Sequence, residues 1–147
     1  GATLTVGNIA DVRATATYSG DIEYAVADGR EPKDSFDTSI PRWTSWPKLG
    51  EEQVVELKLR KSQKVESISV YWYDDKGGVQ VPVSWKMEYK SGDEWKEFKP
   101  YITDRFGVEP DQYNMVHPDK EISTKVLRLK IQPKKESTVG ILELIVE

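Results

Sequence analysis

Apolar residues in this sequence recur at every second position, which restricts the chain to strands before any motif is considered. Ile68, Val70 and Trp72 face one way while Ser69, Tyr71 and Tyr73 face the other. That pattern predicts a strand packed on one face and partly covered on the second. Val83, Trp85, Met87 and Tyr89 alternate with Ser84, Lys86, Glu88 and Lys90, a strand with an apolar inner and a polar outer face. Leu127, Leu129 and Ile131 repeat the pattern, and Val54 to Leu59 and Val139 to Val146 are strand-length runs of branched residues. Ser91-Gly92-Asp93 then joins the Val83–Tyr89 strand to Trp95–Phe98 as a hairpin. The alternation places Trp72 and Trp85 in the core.

No stretch of helical period competes with these strands. A turn or two of helix is expected near Asp104 to Tyr113, limited by Pro110. The longest irregular stretch runs from Asp28 to Gly50 and holds Pro32, Pro41 and Pro47. Short strands, Gly-containing turns and one long loop, without an internal repeat, predict an all-β antiparallel jelly-roll sandwich. A length of 147 residues is that of a single domain. We therefore expect one sandwich over residues 1–147, cut from a larger multidomain protein, since the sequence opens on Gly1-Ala2.

The residue inventory argues against catalysis. Cysteine is absent and His117 is the only histidine, so thiolate metal sites, a cysteine nucleophile and multi-histidine centres are excluded. Phosphate-loop and dinucleotide-binding glycine patterns are missing as well. With 21 Lys and Arg against 25 Asp and Glu, the net charge of −4 gives no basic field for a nucleic-acid backbone. No apolar run is long enough to cross a membrane as a helix.

Some aromatics are not explained by alternation. Arg42-Trp43-Thr44-Ser45-Trp46-Pro47 lies inside the Pro-rich loop, where one indole is expected to plug the sandwich end and the other to remain exposed. Loop anchoring is the competing role for both. Tyr71-Trp72-Tyr73-Asp74-Asp75-Lys76-Gly77-Gly78 brings rings, carboxylates and a cation to a strand end, and Tyr113-Asn114-Met115-Val116-His117-Pro118 adds an amide and an imidazole. A pyranose stacks its C–H face on a ring and pairs its hydroxyls with acids, amides and cations. A solvated turn beside a tyrosine ladder is the alternative. Asp28-Gly29 and the oxygen-rich Asp34, Ser35, Asp37, Thr38 and Ser39 are chemically suited to a hard cation, without EF-hand spacing.

Ala27-Asp28-Gly29, Trp43-Thr44-Ser45-Trp46, Val54-Val55-Glu56-Leu57, Ile68-Ser69-Val70-Tyr71-Trp72 and Gly140-Ile141-Leu142-Glu143-Leu144, in that order, resemble the discoidin or coagulation-factor type C domains. These belong to the galactose-binding-like jelly rolls. Tyr71 to Asp75 and Val81 to Trp85 are most similar to accessory domains of secreted bacterial glycoside hydrolases. The resemblance implies a structural calcium, with Asp28 and Glu143 as acidic ligands and Ser39 or Thr44 as a neutral oxygen. An acid between Leu142 and Leu144 needs a partner, which a calcium ion would supply; an edge position or a salt bridge is the alternative.

The resemblance also implies sugar binding by end loops, where Trp46, Asp75, Tyr113, Asn114 and His117 have suitable chemistry. The expected function is a non-catalytic carbohydrate-binding module that holds an attached catalytic domain at its polysaccharide. A structural accessory domain without sugar binding and a protein-adhesion module are the alternatives. An extracellular, periplasmic or cell-surface location follows from the same resemblance. Membrane-binding relatives carry apolar loop spikes beside basic residues, a combination not apparent in this sequence, so no membrane insertion is expected.

Overall fold

A computed structural model describes residues 5–147. Nine strands are present among the described residues: β1 (Ile9–Ala14), β2 (Trp43–Thr44), β3 (Gln53–Lys64), β4 (Ile68–Tyr73), β5 (Ser84–Ser91), β6 (Glu94–Phe98), β7 (Tyr113–Val116), β8 (Ser123–Gln132) and β9 (Gly140–Val146). They form two antiparallel sheets, of order β1-β3-β8-β5-β6 and β2-β9-β4-β7. The all-β sandwich expected from alternation is the observed architecture.

Register carries the inward sets into line. Leu57 pairs with Leu127, and Leu129 pairs with both Val55 and Met87, so three strands present one continuous apolar face. Ile68, Val70, Trp72, Ile141 and Leu144 meet it from the other sheet. Trp72 and Trp85 are buried, with ring centroids 5.6 Å apart in an edge-to-face contact. Both indoles donate to the Gly107 carbonyl, at 3.0 and 2.8 Å.

Strand β4 is buried on both faces rather than half covered. Tyr71, Tyr73, Val79 and Leu142 form a second apolar cluster on the outside of the smaller sheet, packed by Ile40 and Tyr113. The Pro-rich loop thus acts as a cover over this sheet.

Three expectations change. Val83 is exposed, because Val81 packs on the core, Pro82 is buried ahead of it and β5 begins only at Ser84. No helix forms between Asp104 and Tyr113; side chains there satisfy the backbone, with Asn114 donating to the Glu109 and Gln112 carbonyls and the two indoles taking that of Gly107. The helical element is a 3-10 turn at Glu23–Ala27, whose Ala25, Val26 and Ala27 are buried. Strands β1, β2 and β7 are the elements that the alternation did not reveal.

Candidate carbohydrate-binding site

At one end of the sandwich a concavity of about 240 Å³ is lined by Tyr18, Arg42, Thr44, Trp46, Tyr73 and Asp75 among others. Strand pairing creates it. Thr44 of β2 pairs with Gly140, which also pairs with Tyr73 at the end of β4, so the loops after β2 and β4 leave the sheet side by side. A Cβ on Gly140 would crowd the Trp43 carbonyl and the Thr44 methyl at 2.9 and 2.8 Å, which accounts for glycine there. Trp43 turns inward, fully buried with its indole donating to the Ala16 carbonyl, while Trp46 is 39% exposed. The division of labour expected for the two indoles is the observed one.

Arg42 and Asp75 are each held and yet keep valence free. The Arg42 guanidinium lies 4.7 Å over the Tyr73 ring, and its Nε is 3.7 Å from Asp21 Oδ1 without a hydrogen bond of its own. Asp21 in turn accepts from the Thr44 hydroxyl. Asp75 Oδ1 accepts from the Gly77 and Val79 amides at 2.8 and 3.0 Å, fixing the turn, while Oδ2 has no partner among the described residues. Trp46 rests against Gly78, where any Cβ would collide with the indole. Burial pushes the Tyr73 phenol above its usual range, with Arg42 pulling the other way, so it stays protonated at neutral pH. The cavity therefore offers an exposed ring, a cationic donor and a carboxylate acceptor.

A second polar centre lies where the long loop begins. Gly29, at φ +77°, turns its amide onto Glu143 Oε2 at 2.8 Å, a conformation that side chains with a Cβ rarely adopt. Glu143 Oε1 and Asp28 Oδ2 are both buried without a hydrogen-bond partner. Arg30 approaches Asp28 only to 3.7 Å. Burial, reinforced by the Asp28 charge, pushes the Glu143 carboxyl up to about 9, and burial raises Asp28 as well. Two adjacent orphaned carboxylate oxygens fit a hard cation. Ser39 and Thr44 are directed elsewhere, their hydroxyls donating to Asp37 and Asp21, and no group of three metal-binding side chains exists among the described residues.

Of the five residues proposed from sequence for sugar contact, the fold brings Trp46 and Asp75 together. Tyr113 lies on the outer face of β7, edge-on to Tyr71 at 5.1 Å and donating to Glu31. Asn114 is buried and its amide is fully engaged: it donates to the Val70, Glu109 and Gln112 carbonyls and accepts from the Glu109 amide. His117 is exposed beyond β7, its Nδ1 2.8 Å from Asp104. Tyr18, Arg42, Thr44, Tyr73, Gly78 and Val79 are the cavity residues not singled out for sugar contact. Arg42 and Tyr73 stand in the two strings quoted above, but only the pairing of β2 and β4 through β9 makes those strings neighbours.

Comparison with known proteins decides the family. The sequence pattern of the F5/8 type C domain matches residues 11–144. The chain belongs to this family. No curated protein matches the chain by sequence. Among solved structures, it is similar to one from the Streptococcus pneumoniae β-galactosidase BgaA, at 18% identity and TM-score 0.75 over 95% of this chain and 97% of the other. It is also similar to the family 32 carbohydrate-binding module of Clostridium perfringens NanJ, solved with galactose, at 16% identity and TM-score 0.71 over 92% and 91%. A third is a chitosan-binding module from a Paenibacillus sp. IK-5 chitosanase/glucanase, at 16% identity and TM-score 0.67 over 99% and 96%. At these identities the likeness establishes the shared fold. No helix among the described residues is long and apolar enough to cross a membrane.

Proposed function

We propose that this F5/8 type C domain is a non-catalytic carbohydrate-binding module whose sugar enters the cavity between Arg42, Trp46 and Asp75. The observation that carries the reading is the convergence there of an exposed indole, a half-buried guanidinium that makes no hydrogen bond among the described residues and a free carboxylate oxygen. The sugar's C–H face covers Trp46, and its hydroxyls pair with Arg42 and Asp75. Similar structures that bind galactose and chitosan support the ligand class. A small open cavity yields micromolar to millimolar affinity, about −8 to −4 kcal/mol. The module's work is then to raise the effective concentration of an attached catalytic domain at its polysaccharide, outside the cytoplasm.

Titration of labelled protein with galactose-, arabinose- and glucosamine-containing oligosaccharides, followed by NMR, tests this. Saturable shifts at Trp46 and Asp75, abolished by Trp46→Ala, are expected. Silence across the panel to millimolar sugar would sink the reading.

Asp28 and Glu143 hold the family's structural calcium in this reading, with loop carbonyls supplying the remaining oxygens. A ligand bound to the folded state alone raises the melting temperature by mass action. Calcium should raise it in wild type but not in Asp28→Asn or Glu143→Gln. An unchanged melting temperature in wild type would remove calcium from the proposal.

A further inference from the structure

The inference that follows rests on the carbohydrate reading above and extends it past a single sugar. A second concavity, of about 480 Å³, opens on the other side of Asp75, which lines both. Its walls are the 34–36 segment of the long loop, the 74–76 turn and Pro110-Asp111. Phe36 lines this second hollow, 56% exposed, its ring 6.1 Å from that of Tyr73, which lines the first and carries Arg42 on its own face. Guanidinium, phenol and phenyl thus form one run from the first concavity to the second.

Phe36 touches Tyr73 along one side only, and more than half of its ring is exposed. Its loop is held by polar bonds instead: Asp37 accepts from the Lys33 and Ser39 amides, and Asp34 from the Phe36 amide. Ser35 and Asp111 exchange two bonds, at 2.8 and 2.7 Å, and the Asp74 amide donates to the Ser35 carbonyl. A phenyl ring left more than half in water loses about 25 cal/mol for every Å² of apolar surface that burial would have removed. The loop is already held by its polar groups, and the exposed part of the ring adds nothing to folding.

Charge specifies what covers the ring. Asp34, Asp75 and Asp111 each use Oδ1 for a backbone amide, and Oδ2 of all three has no partner among the described residues. Asp74 spends both oxygens on amides, and Lys76 is the one cation lining this hollow among the described residues. A uronate or sulfated residue placed here meets like charge, whereas an ammonium group meets carboxylate oxygens.

We propose that this second concavity is an adjoining subsite, which takes the next residue of a glycan against Phe36 and favours an amino sugar carrying a free ammonium group. The ligand is then a chain of at least two residues, running from Trp46 past Asp75 to Phe36.

Calorimetric titration of the protein at low salt, with glucosamine, its tetramer, a neutral galactose tetramer and a galacturonate tetramer, tests the subsite. The glucosamine tetramer should bind about tenfold more tightly than the monomer and more tightly than either other tetramer. Phe36→Ala should weaken the glucosamine tetramer about fivefold and leave the monomer unchanged. Asp34→Asn with Asp111→Asn keeps both acceptor oxygens and should remove about fivefold of the preference over the neutral tetramer. Both variants leave the core intact, which an amide spectrum like that of wild type verifies. Equal affinities for monomer and tetramer, no change in either variant, or tighter binding of the galacturonate tetramer would overturn the subsite. Any of these with binding still abolished by Trp46→Ala leaves the first reading standing. Absence of binding by every glycan overturns both.

Discussion

At the scale of single residues, Trp46 and Gly78 act as one unit. The indole lies where a Cβ on residue 78 would stand, while the backbone at Gly78 does not have the positive φ that itself demands glycine. Gly78→Ala should therefore act through the ring and not through backbone strain. It should shift the Trp46 indole resonance and weaken sugar binding about tenfold, at a stability cost within about 1 kcal/mol because the ring can swing into solvent. Sugar affinity like that of wild type in this variant would mean that Trp46 takes no part in binding. Glu143 is the opposite case, an acid almost wholly buried. An acid flanked by Leu142 and Leu144 was recognisable in sequence as needing a partner. That its neighbour is Asp28, with one oxygen of each acid left unpaired, emerges only when β9 is laid beside the start of the long loop.

At the scale of elements, the segment between β6 and β7 is ordered without regular structure, and Asn114 holds it there. Its amide bridges β4 to the loop through the Val70, Glu109 and Gln112 carbonyls. Asn114→Ala strands these buried groups and should destabilise the protein by about 1–3 kcal/mol in denaturant unfolding. Sugar affinity should be unchanged. A loss of affinity without loss of stability would instead make Asn114 a ligand contact. Long alternating strands were legible because burial on one face writes period two into β3, β5 and β8. The short ones were not. β2 has two residues and β7 four, too few for a period, and β1 alternates weakly since a shift of register between Ile9 and Asp11 puts its two buried residues, Ile9 and Val12, three apart. The site followed the same division: Trp46 and Asp75 declared themselves by chemistry inside irregular segments. Arg42 and Tyr73 acquire meaning only from the pairing that juxtaposes them.

At the scale of the whole molecule, the protein should respond to pH in a way set by its buried acids. The folded state holds the Glu143 proton up to about 9, whereas the unfolded chain releases it near the ordinary value of 4.5. Between those limits the unfolded state binds fewer protons, so stability falls as pH rises. In chelator, thermal melts should show a decline from about pH 5 to 9 that Glu143→Gln flattens; a flat wild-type profile would contradict it. Asp104, held below the usual range by the His117 amide and imidazole, acts oppositely and loses its contribution as the solution turns acidic. The shared Gly107 carbonyl has an optical consequence. Two indoles hydrogen-bonded to one oxygen, with ring centres 5.6 Å apart, exchange excitation faster than either emits, and they fluoresce as a single dry chromophore. Trp43 is sealed as well, so water-borne quenchers reach only Trp46 and the half-buried Trp95 of β6, and in a Trp95→Phe background the emission lost to them traces the state of one ring at the mouth of the cavity.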